Sequence, residues 1–277
     1  MKTKGFALLL ALAATACQHT PPAAADAVVA AGPTPQPAAL ATAATDSLSP
    51  TTRAMLRQYN LAPLWANRAE GKAAQSAMEG FFGTSPYRIS FYFSSVERDP
   101  AQPNLFHVTG LDRYKKVITP FRGTITVRQI HPFTYAPYLD DPDSLINAFT
   151  ANGQFILRED PTTKGAGCYS GKALLDFYLN QHKQPVQATA NLTTSAKNPT
   201  LGSGLLFRGT QVSNATGRRQ PVAFAGEYWA AIPNALQFLR PGGRGDEVSP
   251  NLAHFGWNSY WENDEWWAKS PKPQLSL

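Results

Sequence analysis

The chain has 277 residues and a mass of 30.1 kDa, with 43% hydrophobic, 16% charged and 11% aromatic residues. This composition is typical of a globular protein with one large domain or two small ones, and a total of two cysteines excludes a disulfide-stapled scaffold. The formal net charge of +6 is compatible with an acidic partner.

The first sixteen residues predict an export signal. Lys2 and Lys4 precede an apolar run from Phe6 to Ala14, which is too short to cross a bilayer, since a spanning helix needs about 20 residues. The run ends in Ala14-Thr15-Ala16-Cys17, which resembles the lipobox at which bacterial lipoprotein precursors are cut and acylated. An ordinary secretory signal with cleavage near Ala16 is the alternative.

The lipobox resemblance implies that Cys17 is the lipid-attachment residue. Several acyl chains on one residue form an effectively permanent anchor, because each buried methylene contributes about 0.8 kcal/mol. Gln18 rather than an aspartate follows the cysteine. By the sorting rule of such lipoproteins this implies the outer membrane, and the absence of an acidic cluster after Cys17 implies its periplasmic face.

Residues 17–50 are interpreted as the lipidated cysteine followed by a disordered tether. Residues 18–50 contain eleven Ala and six Pro and no Lys, Arg or aromatic residue. Such a segment cannot bury enough apolar surface to offset the entropy of ordering. Ser47 and Ser144 each stand in an Asp-Ser-Leu triplet, a pattern that some bacteria O-glycosylate, and the sequence leaves their modification open.

Two helices are predicted at the start of the folded body, residues 51–277. Ser49 and Pro50 form a helix start before Arg53–Arg57. The second helix is predicted over Ala69–Phe82, where apolar side chains lie four residues apart and a glycine follows.

After Gly83 the apolar pattern changes to period two, which is typical of half-buried strands. The predicted strands are residues 89–94, 104–109, 121–128, 153–159, 168–179, 203–210 and 221–230. An aromatic residue two positions before a glycine recurs in these strands, and such glycines relieve crowding where a sheet bends. We therefore expect one mainly β domain, a curved antiparallel sheet or calycin-like barrel preceded by one or two short helices, with an α+β arrangement as the alternative.

Several segments between residues 80 and 260 resemble an uncharacterised family of bacterial lipoproteins. The segments are Phe106 to Arg113, Ile118 to Gly123, Gly165 to Gly171, Glu247 to Pro250, and Gly256-Trp257. The resemblance implies a single domain at 51–277. It implies no activity and no site residues, because that family has no assigned activity.

The candidate ligand-binding residues lie near the C-terminus: Trp257, Tyr260, Trp261 and Trp266. Indoles stack on the apolar faces of sugars, and the acidic and amide side chains at 262–265 could accept hydrogen bonds from hydroxyl groups. This pattern favours a glycan-binding site. Two alternatives remain open, because large aromatic residues also close hydrophobic cores and anchor protein interfaces.

Other motifs give weaker signals. Cys168 is the remaining thiol of the body, and a structural or incidental role is favoured because no cysteine-protease signature surrounds it. No two histidines of the body have the spacing that places two imidazoles on one face of a strand or helix. The run from Ala166 to Ala173 has alanine at both the first glycine position and the Ser/Thr position of a phosphate loop. We therefore predict no catalytic residue, no metal and no cofactor.

The sequence thus indicates a membrane-anchored binding or envelope-structural module, for which an envelope polysaccharide or another envelope protein is the candidate partner. The basic residues form no cluster, so nucleic acid is not expected. A periplasmic hydrolase of glycan or peptide is one alternative and requires two carboxylates, or Cys168 and a histidine, in a cleft. A lipocalin-like carrier of an apolar ligand is another. The carboxylates considered for the hydrolase single out no pair: Glu97, Asp99, Glu159, Asp160, Asp176 and Glu227.

The lipid anchor is testable by metabolic labelling with palmitate. We expect Cys17→Ser to abolish incorporation and to release the chain from the membrane fraction, because the substituted residue supplies the acylated thiol. Cys168→Ser is the matched control and should keep both label and membrane association. Undiminished incorporation in Cys17→Ser would contradict the anchor.

Overall fold

The computed structural model describes residues 48–68, 76–135, 146–190, 198–232, 250–258, 260 and 265–268. These residues belong to one compact unit, Ala44–Leu277. The other unit, Met1–Ala43, lies outside the described residues, so the predicted signal peptide, Cys17 and the first part of the tether stay predictions. Within the described ranges, no helix has both the length and the apolarity needed to cross a membrane.

Two short helices precede the strands: α1 spans Pro50–Gln58 and α2 spans Ala62–Trp65. Ser49 caps α1, because its Oγ accepts a hydrogen bond from the Thr52 N–H at 3.2 Å, and Pro50 lies in the first turn as predicted. Leu48 is already buried in the core. The folded body therefore includes residues that the sequence pattern assigned to the end of the tether.

The described residues are mainly β, with 54% of them in strands and 12% helical. The strands are β1 (Met78–Phe82), β2 (Tyr87–Arg98), β3 (Leu105–Tyr114), β4 (Val117–Tyr135), β5 (Ile146–Glu159), β6 (Gly167–Leu179), β7 (Pro185–Gln187), β8 (Leu205–Ser213) and β9 (Arg219–Ala225). Two 3₁₀ helices follow, at Tyr228–Ala230 and Pro250–Phe255. The strands expected from the period-two pattern are confirmed, except that the strand predicted over 221–230 ends at Ala225 and its last residues form the first of these 3₁₀ helices.

The predicted second helix is wrong over its last five residues, because Met78–Phe82 forms β1. This strand pairs with β2 on one side and with β9 on the other. Both neighbours supply backbone hydrogen bonds and side-chain packing, which outweigh the weak local preference for a helix. The first part of that helix, residues 69–75, lies outside the described residues.

The strands form an antiparallel sheet that closes into a ring. Strands β1 to β6 pair in sequence order, β6 continues to β8, β8 pairs with β9, and β9 returns to β1. The short β7 pairs only with the last three residues of β6, beyond the segment that pairs with β8. Closure leaves the ring without free edges. The predicted barrel is confirmed.

Two glycines of the aromatic motif face each other across β6 and β8. Gly171 pairs with Gly209, and a Cβ on Gly171 would lie 2.1 Å from the Arg208 carbonyl oxygen. A Cβ on Gly209 would lie 2.0 Å from the carbonyl oxygen of Ser170. Only glycine allows the strands to bend this closely together, so the motif has the role that the sequence predicted for it.

Aromatic side chains fill the interior of the barrel. Phe207 stacks on Phe224 at 4.6 Å between ring centroids, and Phe91 stacks on the other side of Phe224 at 3.9 Å. Further buried rings of this cluster belong to Phe93, Phe106, Phe121 and Phe155. The barrel centre is therefore a packed core.

The two helices close one end of the barrel, called here the helical end. Trp65 of α2 is fully buried and packs against Phe106 and Phe207, with centroid distances of 6.4 and 6.0 Å. The Arg98 guanidinium donates a hydrogen bond of 2.9 Å to the carbonyl oxygen of Leu56 in α1. The other end, where β1, β3, β5 and β8 finish, is called the open end.

Replacing Trp65 tests this closure. We expect Trp65→Ala to lower the free energy of unfolding by about 3–5 kcal/mol, because a large buried ring leaves a cavity between Phe106 and Phe207. Val117→Ala, at an exposed position, should change it by less than about 0.5 kcal/mol. Urea denaturation followed by circular dichroism measures both. Equal effects of the two variants would show that Trp65 does not hold the helical end closed.

Candidate functional site

Trp257 and Tyr260 hold the C-terminal segment against the outer wall of the barrel. Trp257 is 1% exposed, stacks on Phe81 at 4.7 Å and donates its indole N–H to the Pro86 carbonyl oxygen at 2.9 Å. The Arg88 guanidinium lies over the rings of Trp257 and Tyr260, at 5.9 and 5.3 Å from their centroids. Trp257 thus has no exposed ring face to offer a sugar and lies in the core.

Among the described residues, Tyr260 and Trp266 form no exposed row with the buried Trp257. Trp266 is half-buried, with the Arg113 guanidinium 5.0 Å from its ring centroid. Its neighbour Trp267 stacks on Tyr92 of β2 at 5.0 Å. Trp261 lies outside the described residues. Ligand binding by Tyr260, Trp261 and Trp266 stays a prediction.

The open end of the barrel contains a cavity of about 250 Å³. Its wall combines aromatic, acidic, amide and basic side chains. The principal lining residues are Phe82, Asp112, Tyr114, Val117, Thr119, Glu159, Lys164, Tyr169, Gln211, Arg218 and Gln220.

Five of these residues form a buried polar layer beneath the cavity: Asp112, Thr119, Glu159, Tyr169 and Gln211. Each continues the inward-facing row of its strand, as Asp112 follows Phe106, Val108 and Gly110 at alternate positions of β3. The alternation of the strand therefore places a polar side chain at the inward position where an apolar side chain would extend the core. The layer is where the packed interior ends and the cavity begins.

Glu159 is the main acceptor of the polar layer. Its Oε2 accepts a hydrogen bond from the Gly167 N–H at 2.6 Å and one from the Gln211 amide at 2.9 Å. Burial raises the pKa of Glu159, while the hydrogen bonds from Gln211, Gly167 and Tyr169 favour the charged form and oppose that rise.

Asp112 is the neutral partner of Glu159. Burial raises the pKa of Asp112 to about 9, and the negative charge of Glu159 and a hydrogen bond to it act in the same direction. Asp112 therefore keeps its proton at neutral pH and donates it to the Glu159 carboxylate. Since Asp112 is only 1% exposed and lines the cavity, its Oδ2 is buried at the cavity base and accepts no hydrogen bond from a described donor.

Tyr169 completes this network. Burial, followed by the charges of Asp112 and Glu159, raises the pKa of its phenol, which therefore stays protonated and hydrogen-bonds to Glu159. The opposite rim is basic, because Lys164 and Arg218 line the cavity and are both exposed. The cavity thus has neutral and acidic groups at its base and cations at its mouth.

Asp176 shows what a fully satisfied buried carboxylate looks like in the same fold. Its Oδ1 accepts from the Thr150 hydroxyl at 2.6 Å, and its Oδ2 accepts from the Thr200 hydroxyl at 2.6 Å and the Thr200 N–H at 3.0 Å. Burial raises its pKa against these hydrogen bonds. Asp176 ties β5, β6 and the segment before β8 together, and this role is structural.

Cys168 and the histidines give no second site. Burial raises the pKa of the half-buried Cys168 thiol, which disfavours the nucleophilic thiolate. His107 hydrogen-bonds to Asp99 at 2.9 Å, near the helical end. Across the part of the chain that the structure describes, no three His, Cys, Asp or Glu side chains are grouped as metal ligands would be.

Asp112 is absent from the residues that the sequence pattern singled out. Glu159 and Asp160 were among the candidate carboxylates, but no pair was predicted, because Asp112 and Glu159 lie on β3 and β5, which β4 separates, and only the strand register brings them level. The available signal was that Asp112 continues the period-two row of Phe106, Val108 and Gly110 beyond the strand predicted at 104–109. No family profile, curated protein or solved structure matches this chain, so the site's own geometry carries the functional argument. The resemblance to bacterial lipoproteins stays a prediction.

The proton on Asp112 predicts a pH-dependent stability. Because the folded-state pKa of about 9 exceeds the ordinary 3.8, the unfolded chain loses this proton at lower pH than the folded protein does. The stabilisation is complete below the unfolded pKa and is lost as the pH rises toward the folded pKa. The free energy of unfolding should therefore fall between about pH 5 and 9 in the wild type, and less steeply in Asp112→Asn.

Urea denaturation at several pH values measures this slope. Asp160→Asn is the matched control, because hydrogen bonds from Thr162 lower the pKa of Asp160 and its contribution is lost only as the pH falls. The control should keep the wild-type slope over the same range. Identical slopes in all three proteins would mean that Asp112 is ionised in the folded protein.

Proposed function

We propose that this protein is a lipid-anchored envelope lipoprotein whose folded body is a glycan-binding module. The cavity at the open end of the barrel takes one sugar ring. The observation that carries this proposal is the buried polar layer that lines the base of the cavity, in which the Asp112 Oδ2 accepts no hydrogen bond from a described donor.

The composition of the cavity suits a sugar. A buried acceptor left unpaired costs about 1–3 kcal/mol, and a sugar hydroxyl is a donor that can recover that cost. The side chain of Gln220 supplies an amide group for neighbouring hydroxyls, whereas the Gln211 amide N–H groups already donate to Glu159 and Gly165. Phe82 and Tyr114, in edge-to-face contact at 4.8 Å, supply an aromatic wall for the apolar face of the ring.

The size of the cavity limits the ligand. At about 250 Å³ it is smaller than the pockets of roughly 300–1,000 Å³ that hold drug-sized molecules. It therefore accommodates one ring rather than a chain. A glycan would insert a terminal residue, with the remainder lying across the rim near Lys164 and Arg218.

The geometry favours binding over glycoside hydrolysis. Two-carboxylate glycosidases separate their carboxyl groups by about 5–5.5 Å or 6.5–9.5 Å, which leaves room for the reacting carbon or for water. Asp112 and Glu159 instead hydrogen-bond to each other. In addition, Oε2 of Glu159 already accepts hydrogen bonds from Gly167 and Gln211.

The geometry also favours a polar ligand over the cargo of a lipocalin-like carrier. Stacked Phe91, Phe207 and Phe224 occupy the centre of the barrel, where a carrier holds an apolar molecule. The cavity that the open end provides has a base of buried polar groups.

The envelope location rests on the N-terminal sequence. The small residues before Cys17 support cleavage and acylation there, and Gln18 supports the outer membrane with the body on the periplasmic side. Envelope polysaccharide is then within reach of the barrel. Another envelope protein remains the alternative partner, through the C-terminal aromatic segment.

A panel of monosaccharides, including neutral, amino and acidic sugars, tests the proposed site by saturation-transfer NMR and calorimetry. We expect Asp112→Leu to weaken binding of the best sugar about tenfold, equivalent to about 1.4 kcal/mol, because it removes the acceptor. Asp112→Asn should largely retain binding, since an amide can donate to Glu159 and still accept from a hydroxyl.

A tyrosine pair supplies the control for the aromatic wall. Tyr114→Ala should weaken binding, whereas Tyr92→Ala, which removes a ring packed on Trp267 outside the cavity, should not. Absence of binding by every sugar, or unchanged affinity in Asp112→Leu, would overturn the proposal.

A further inference from the structure

The hairpin between β3 and β4 exposes two neighbouring aliphatic side chains at the open end. Val117 is 48% exposed and Ile118 is 43% exposed, the largest values for big hydrophobic residues in the described ranges. Lys115 and Lys116 form the turn directly before them and are exposed as well. The tip is thus an apolar pair beside two cations.

Other connections at the open end carry the same sign of charge. Lys164 lies between β5 and β6, and Arg218 lies between β8 and β9, both exposed. The acidic residue of these connections, Asp160, is half-buried and accepts hydrogen bonds from the Thr162 N–H and hydroxyl at 2.9 and 2.7 Å. The rim therefore presents cations on three hairpins, and its carboxylate is engaged within its own turn.

The described part of the helical end also has exposed cations, Arg57 and Lys183, but no large exposed aliphatic side chain. Its β2–β3 connection begins with Asp99, which hydrogen-bonds to His107, and its β6–β7 turn contains Lys183. Neither connection contains a large exposed aliphatic residue among the described positions. Among the described residues, exposed cations and large exposed aliphatic side chains thus coincide only at the open end.

The hairpin is held in a defined position. The Lys115 ammonium lies 4.7 Å from the ring centroid of Tyr87 and 5.4 Å from that of Tyr114. Beneath the hairpin, a groove of about 470 Å³ is lined by Arg113, Lys115, Lys116 and His254, together with the aromatic Tyr87 and Phe255. A basic groove therefore lies beside the apolar tip.

We propose that the open end of the barrel docks on a bilayer surface containing anionic phospholipids. Val117 and Ile118 enter the boundary between headgroups and acyl chains, where exposed aliphatic side chains are buried. Lys115, Lys116, Lys164 and Arg218 bind the phosphates, since a bilayer with anionic lipids attracts cations at its surface. This proposal does not rest on sugar binding.

A bilayer fits the rim better than an acidic polysaccharide does. A polysaccharide satisfies the cations but offers no hydrocarbon for Val117 and Ile118. The lysine side chains, by contrast, can lie along hydrocarbon while their ammonium groups reach the phosphates. Because Val117 also lines the sugar cavity, docking places the mouth of that cavity at the headgroup layer.

A site-specific fluorophore tests insertion in the full chain. In a Cys17→Ser, Cys168→Ser background, Ile118→Cys carries an environment-sensitive dye, and vesicles contain phosphatidylcholine alone or mixed with phosphatidylglycerol. We expect a blue shift and quenching by brominated acyl chains on the anionic vesicles, both reversed by salt. Gln181→Cys, in the turn at the helical end, is the control and should show neither change. Since both labelled chains share the N-terminal segment, attachment through that segment cannot produce the difference.

Charge removal provides the second measurement. Lys115→Gln with Lys116→Gln should reduce binding to anionic vesicles about tenfold or more, while Arg57→Gln with Lys183→Gln, which removes equal charge at the helical end, should not. The proposal would be overturned if the fluorescence shifted equally at positions 118 and 181, or at neither. Equal loss of vesicle binding in the two double variants would overturn it as well. Another contradicting result would be that polygalacturonate retains the chain through Lys115 and Lys116 while position 118 does not insert into vesicles.

Discussion

The pairing of β9 with β1 is the constraint on which the structure depends. Residues Glu79 to Phe82 pair with Val222 to Ala225, so segments separated by some 140 positions in the chain become neighbours. This pairing converts a curved sheet into a ring and gives the inner face a fixed volume. Within that volume the stacked rings of Phe207 and Phe224 leave no room for additional bulk, and close strand approaches require glycine, as at Gly171. Polar groups of the inner face can then lie only where the packed rings end.

The polar layer follows from that limit. Asp112 is buried and keeps its proton because ionising a second carboxyl next to Glu159, away from water, is unfavourable. A fold that used this carboxyl only for packing would supply partners for both oxygens, as Thr150 and Thr200 do for Asp176. At Asp112 one oxygen has no such partner among the described residues, and the adjoining space is a cavity rather than packed side chains. The contrast between two buried aspartates of one barrel therefore distinguishes a structural group from a group available to a ligand.

The sequence patterns predicted those structural features that depend on residues close together in the chain. The period-two rows predicted the strands, and Ser49 with Pro50 predicted the start of α1, because both signals are local. The helix predicted up to Phe82 was wrong, since Met78 and Phe82 have a helical spacing by coincidence and the decisive contacts come from β9. The approach of Asp112 to Glu159 was not predictable either. These residues are inward on separate strands, and only the register of β3, β4 and β5 brings them to the same level of the barrel.

Aromatic density and broken alternation were two competing signals for a site. The dense C-terminal tryptophans drew attention first, yet Trp257 serves to attach its segment through Phe81, Pro86 and Arg88. Large rings bury much area wherever they lie, so their density mainly indicates packing. A charged residue at an inward strand position has the opposite energetics, because burying it lowers stability unless a partner compensates. In a closed barrel with a filled interior, the interruption of an apolar row, here by Asp112, is therefore the more specific indicator of where a ligand supplies the missing partner.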